Sequence, residues 1–362
     1  MVTARLIERR FHNVPGKLRV SELFFDVPVD YSKPADGSIR LFARSARHTL
    51  AQTEKDDRQL PWLVYLTGGP GFGCQQPQDY PWIRSVLDKG YQVSNVCFSH
   101  CCLDERKVLF LDQRGTGMSS TITAATLAPK GNAFKQAEYL QHFRADSIVR
   151  DCEAIRQYLT ADYPEDIRKW SILGQSFGGF CAVTYLSKSP EGLKEVFIAG
   201  GLPPLVRGPD PVYQRTYFKV EERNKAYYAK FPEDAERVKK ILGHLKSKKV
   251  RLPSDGTLTP RRFQQLGIFL GMHGGLDTIH DIVLRSINDL DVFGFLTRPT
   301  LSIIDSYGGF DNHIIYAVLH EAIYCQGQTS QWSAGRIRGV LPRFQLDEHQ
   351  SQVFFTGEMV TF

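Results

Sequence analysis

The stretch Leu173-Gly174-Gln175-Ser176-Phe177-Gly178-Gly179 limits what this chain can fold into more than any other. The apolar residues ahead of it read as a buried strand, and Cys181-Ala182-Val183-Thr184-Tyr185-Leu186 behind it reads as a helix. Ser176 therefore sits at a strand-to-helix turn. Glycines two before and two after the serine let strand and helix approach through a very tight turn, leaving the hydroxyl exposed above a sheet. The same letters occur in plain glycine-rich loops, and the flanking strand and helix are what set this turn apart.

Two more blocks lie upstream. Leu63-Val64-Tyr65-Leu66-Thr67-Gly68-Gly69-Pro70-Gly71 is an apolar strand running into a loop almost free of side chains. Such a loop can aim backbone N–H groups at a developing negative charge, although an ordinary Pro-Gly turn has the same composition. Val108-Leu109-Phe110-Leu111-Asp112-Gln113-Arg114-Gly115-Thr116-Gly117-Met118-Ser119 is a second buried strand ending in a polar, glycine-containing loop. Asp112 and Arg114 are expected to brace the floor of a site through ion pairs or hydrogen bonds, without taking part in chemistry.

In these three blocks the sequence resembles the proline iminopeptidase (prolyl aminopeptidase) family of serine peptidases. Its signatures, His-Gly-Gly-Pro-Gly, Asp-Gln-Arg-Gly-x-Gly-x-Ser and Gly-Gln-Ser-x-Gly-Gly, recur here in that order, with Thr67 in place of the usual histidine. That departure leaves the glycine backbone donors in place. The resemblance implies an α/β-hydrolase fold: a mostly parallel sheet with helices on both faces and an inserted helical cap. It also implies acyl transfer, with Ser176 attacking the carbonyl of the first residue and the N–H groups of Gly69 and Phe177 stabilising the oxyanion. Glu321, in Leu319-His320-Glu321-Ala322, and Glu358, in Thr356-Gly357-Glu358-Met359, match cap segments that carry the glutamates receiving the substrate's free amine. The expected substrate is a small peptide with an N-terminal proline. No metal and no organic cofactor is called for.

The triad's acid and histidine follow the serine in this fold. Within the chain, Asp305 or Asp311 with His320 or His349 are the candidates. Pro299 to Asp305 imitates a strand delivering an acid, yet the resemblance puts that stretch in the cap. The resemblance also places the last core strands, the acid and the histidine after the cap, so this chain is expected to be C-terminally truncated and inactive. Two alternatives of other kinds stay open: a non-catalytic hydrolase-like remnant that binds a ligand or partner, and an esterase-type hydrolase. An epoxide hydrolase would want an acidic nucleophile, against which Ser176 argues.

With 362 residues, 42% of them hydrophobic, the chain can bury a large core, and its net charge of +6 is only mildly basic. Charges of both signs are mixed throughout, without the basic and aromatic clusters of a nucleic-acid surface. No run approaches a membrane span, and the first residues lack the apolar core of a signal peptide, so a cytoplasmic location is expected. Seven cysteines in that setting read as reduced thiols.

Alternating segments such as residues 22–31 and 38–44 predict antiparallel strands opening the sheet. A helix is expected over about residues 144–160, with Arg150, Asp151 and Glu153 on its solvent side. The expected division is a core over residues 1–205 and, after the sixth strand, a helical cap over 206–362. Residues 93–107 fit neither. Excising them joins a helix end directly to the strand at Val108, and their ends are compatible with the ends of an intron, so an in-frame retained intron is one reading. A genuine exposed loop is another. A metal site from Cys97, His100, Cys101 and Cys102 is a third, disfavoured because adjacent cysteines rarely serve one tetrahedral zinc.

Overall fold

The structure is a computed structural model that describes residues 4–48, 60–89, 107–307, 309–347 and 350–359. The segment 93–106, with its three cysteines and His100, lies outside the described residues, as does His349. Lys107, counted from sequence with the insertion, instead begins a strand and pairs with Trp62.

Among the described residues seven strands form one sheet: β1 (Arg5–Val14), β2 (Leu18–Pro28), β3 (Ser38–His48), β4 (Trp62–Leu66), β5 (Lys107–Asp112), β6 (Trp170–Gln175) and β7 (Leu193–Ala199). Their order across the sheet is β1-β2-β3-β5-β4-β6-β7. The alternating N-terminal segments pair antiparallel down to β3–β5, while β5, β4, β6 and β7 run parallel. β1 lies within the alternating residues 4–60 expected to supply the antiparallel strands that open the sheet, and the second unit follows the seventh strand rather than the sixth. β4 and β5 are buried along their whole length, as strands covered on both faces must be.

Helices α1 (Ile83–Lys89), α2 (Ala145–Leu159) and α3 (Phe177–Lys188) belong to the same unit. Leu109, Leu111, Ile148, Ile155, Ile172 and Tyr185 are among the residues of its larger apolar cluster, and Leu63, Tyr65, Ile83 and Phe110 are among those of a second. Asp151, expected on the solvent side of α2, is buried. The reason is Arg114. Its guanidinium meets both Asp151 oxygens, at 2.7 and 2.6 Å, and its remaining N–H groups donate to the carbonyls of Pro28, Val29 and His142. All five guanidinium hydrogens are thereby used. Tyr31 Oη donates to Asp151 as well, at 2.9 Å. Glu153 is half-buried and paired with Arg156 at 2.7 Å; Arg150 is exposed as expected.

The chain divides into two compact units. The first holds Met1–Pro203 and His313–Ile323; the second holds Pro204–Asn312 and Tyr324–Phe362. Residues 313–323, read from sequence as part of the cap, belong with the sheet because Ile315 is a member of its core, with Ile314, Leu319 and Ile323 packed against it. The second unit is helical: α4 (Asp210–Lys230), α5 (Asp234–Ser247), α6 (Gly275–Phe293) and α7 (Arg298–Tyr307) are its longest helices. Its own core includes Tyr227, Ile241, Phe263, Ile279 and Phe354. In the first unit, the returning segment carries α8 (Ile314–Leu319).

Candidate active site

β4 and β6 are parallel neighbours with Leu66 opposite Gly174, so the loops that follow them leave the same edge of the sheet. That edge, at the carboxyl ends of the strands, is where open α/β sheets present their sites. Ser176 follows β6 by one residue with φ 53° and ψ −121°, a left-handed backbone that costs a non-glycine residue roughly 1–3 kcal/mol. Its N–H donates to the Ala199 carbonyl at 3.0 Å and its carbonyl accepts from Gly179 at 2.8 Å, which holds the strained turn shut.

The glycines explain how the turn fits. A β-carbon on Gly174 would strike the Gly178 carbonyl, one on Gly178 the Leu66 carbonyl, and one on Gly201 the carbonyl of Ser176 itself. Behind the turn, Tyr65 Oη donates to Gln175 Oε1 at 2.5 Å, tying β4 to the residue before the serine. Ser176 is exposed, and its hydroxyl hydrogen-bonds to nothing among the described residues. At the start of α3 the Phe177 N–H faces no acceptor among them either, nor does that of Gly69.

The Gly68–Gly73 loop is held from two sides. Asp112 accepts from the Cys74 N–H at 2.7 Å with one oxygen and from the Met118 N–H at 2.8 Å with the other. Burial raises its carboxyl above the usual carboxylate range, while those two backbone donors pull the other way. Asp112 thus holds the glycine loop to the loop after β5, while Arg114 ties that second loop to Asp151 and to the carbonyls of Pro28, Val29 and His142. On the other side lies the returning segment: His313 Nδ1 is 3.2 Å from the Gly71 carbonyl and its ring lies 4.1 Å from that of Phe72.

The remaining candidates are scattered. Glu321 is buried in the first unit, whereas Glu358 is exposed in the second, beside Tyr324, whose phenol is pushed up to about 12 by burial and by that charge. His320 is buried and stacked on Tyr316 at 4.7 Å, and desolvation lowers its imidazole to about 4. Asp305 lies on helix α7 and not on a strand; it accepts from the Ser254 N–H and hydroxyl, both at 2.8 Å. Asp311 pairs with Arg262 at 2.7 Å. Both acids are thus engaged within the second unit. One group there, Glu233, Asp234 and His280, places ligand-type atoms within 4.8 Å of one another. Asp234 already accepts from Tyr227 Oη, meets His280 Nδ1 at 2.8 Å and pairs with Arg237 at 3.0 Å, a cation that disfavours a metal there. No described helix is long and apolar enough to cross a membrane.

Sequence reasoning missed His313, whose only signal is that it opens the apolar run Ile314-Ile315-Tyr316 in an otherwise polar stretch.

Comparison with known proteins matches residues 61–320 to the α/β hydrolase fold family. The chain is 51% identical over 357 residues to Proline iminopeptidase aneH of Aspergillus aculeatus, covering 99% of this chain and 75% of that one. It is 40% identical over 351 residues to a proline iminopeptidase of Aeromonas sobria, covering 96% and 75%.

Proposed function

The chain belongs to the proline iminopeptidase family of α/β hydrolases, and from that premise we propose that it is a serine aminopeptidase releasing N-terminal proline from small peptides in the cytoplasm. The observation that carries this reading is the exposed, strained Ser176 between two loops whose N–H groups lack acceptors among the described residues. Ser176 Oγ adds to the carbonyl of the first residue, and the charge that develops on its oxygen is met by the N–H groups of Phe177 and Gly69. Collapse breaks the C–N bond and expels the rest of the peptide as an amine carrying the proton that the serine gave up, and water then cleaves the prolyl ester to regenerate the serine. The helix dipole of α3 adds to the stabilisation at Phe177. A carboxylate recognises the free imino terminus, for which Glu321 or Glu358 is the candidate.

The reading leaves the acid and the general base without a described occupant.

Two measurements test the proposal. Binding needs no triad, so prolyl amides with a free imino group should bind more tightly than their N-acetylated forms; equal affinities would remove the aminopeptidase reading and favour an esterase. Labelling by a fluorophosphonate and turnover of a chromogenic proline amide then address chemistry. Turnover lost in Ser176→Ala would uphold the nucleophile, overturn the expected inactivity, and make His320 and His349 the bases to replace next. Turnover retained in that variant would overturn the nucleophile.

A further inference from the structure

The first unit is completed by a segment from far along the chain, His313–Ile323, and that segment lies directly on the glycine loop after β4. Gly71, at φ +99°, has no room for a side chain, because a β-carbon there would fall 2.9 Å from the Tyr316 nitrogen and 3.1 Å from Ile315 Cβ. Phe72 is covered on one face by the His313 ring at 4.1 Å and met edge-on by Tyr316 at 5.6 Å. The 3.2 Å contact between His313 Nδ1 and the Gly71 carbonyl fixes the tautomer, since a carbonyl only accepts and Nδ1 must carry the hydrogen.

We propose that His313 is a positioning residue for the oxyanion loop: its imidazole pins Gly71 and Phe72 to the returning segment and so fixes where the Gly69 N–H points. The inference rests on the reading of Gly69 as an oxyanion donor. A single residue, Pro70, separates Gly69 from Gly71, and its φ is fixed, so a displacement at Gly71 is passed to Gly69 with little loss. An imidazole supplies two things at once here, an N–H donor and a flat face against Phe72. Asparagine keeps only the donor and phenylalanine only the face.

The test uses the whole chain. Amide exchange in the loop is followed at Cys74, whose N–H is held by Asp112, in the wild type and in His313→Ala, His313→Asn and His313→Phe, with thermal unfolding as a check that each variant folds. His313→Ala should speed exchange in the loop roughly tenfold, the size expected for one lost hydrogen bond plus one ring contact. His313→Asn and His313→Phe should each restore part of the protection, and nitrogen NMR of the wild type should show the Nδ1–H tautomer. Unchanged loop exchange in His313→Ala, or an Nε2–H tautomer, overturns the proposal. These readouts need neither substrate nor turnover, so they stand apart from the fate of Ser176 as nucleophile. Should Ser176 label with fluorophosphonate, the labelling rate must fall in His313→Ala and recover in His313→Asn; an unchanged rate beside a loosened loop also overturns it.

Discussion

Gly68 touches Ser176: a β-carbon on the glycine would lie 2.8 Å from the serine Cβ and 3.3 Å from its Oγ. The nucleophile and the oxyanion loop are therefore in van der Waals contact, and a single methyl would push them apart.

Glycine substitutions should split by what surrounds them. Gly178→Ala drives its methyl into the Leu66 carbonyl, a backbone atom that cannot swing away, and should destabilise by about 1–3 kcal/mol. Gly243→Ala, in the interior of α5 with nothing within 4 Å, should stabilise by roughly 0.5–1 kcal/mol. Urea unfolding of the two variants checks the opposite signs; a stabilised Gly178→Ala would mean that the elbow is looser than its geometry.

Removing Asp151 strands the Arg114 charge, whose side chain is fully buried. Asp151→Ala should cost about 3–5 kcal/mol in chemical denaturation. Arg114→Lys should also destabilise in the same assay, since one ammonium cannot serve the five acceptor contacts the guanidinium makes. A double replacement, Arg114→Met with Asp151→Leu, should lie nearer the wild type than Asp151→Ala does. A double variant as weak as the single one would show that the carbonyls of Pro28, Val29 and His142 need the guanidinium more than the carboxylate does.

His320 gives stability a pH dependence. Its folded pKa of about 4 lies below the ordinary imidazole value near 6.5, so between them the unfolded chain takes up a proton that the folded one refuses. Stability is full above about pH 6.5 and falls as the pH drops toward 4, by on the order of 2–3 kcal/mol. His320→Gln should flatten that part of the profile measured by thermal unfolding from pH 4 to 7. A profile as steep as the wild type would assign the slope to another group.

Much of the site was legible because its determinants are local. The strain at Ser176 is met within a few residues by Gly174 and Gly178, and Asp112 finds the Met118 N–H six positions away, so short motifs carry them whole. What the sequence hid is long-range. Nothing in the helical period of α2 marks Asp151 as the counter-ion of an arginine on a distant loop, and nothing in the run after Asn312 shows that Ile315 joins the sheet's core instead of the second unit's. Asp305 shows the reverse error avoided: an apolar run ending in an acid looks like a strand, yet folds as a helix whose acid binds Ser254.

The chain passes from the first unit to the second after Pro203, returns at His313 and leaves again after Ile323. Ribosomal synthesis runs from the amino terminus, so the seven described strands, which end at Ala199, must wait more than a hundred residues for Ile315 to arrive and cover them. Until then Gly71 and Gly115, the two glycines that receive Ile315, face an unfilled gap. The nascent first unit is thus left with an open seam beside its own oxyanion loop, and the loop is the last part of that unit to set.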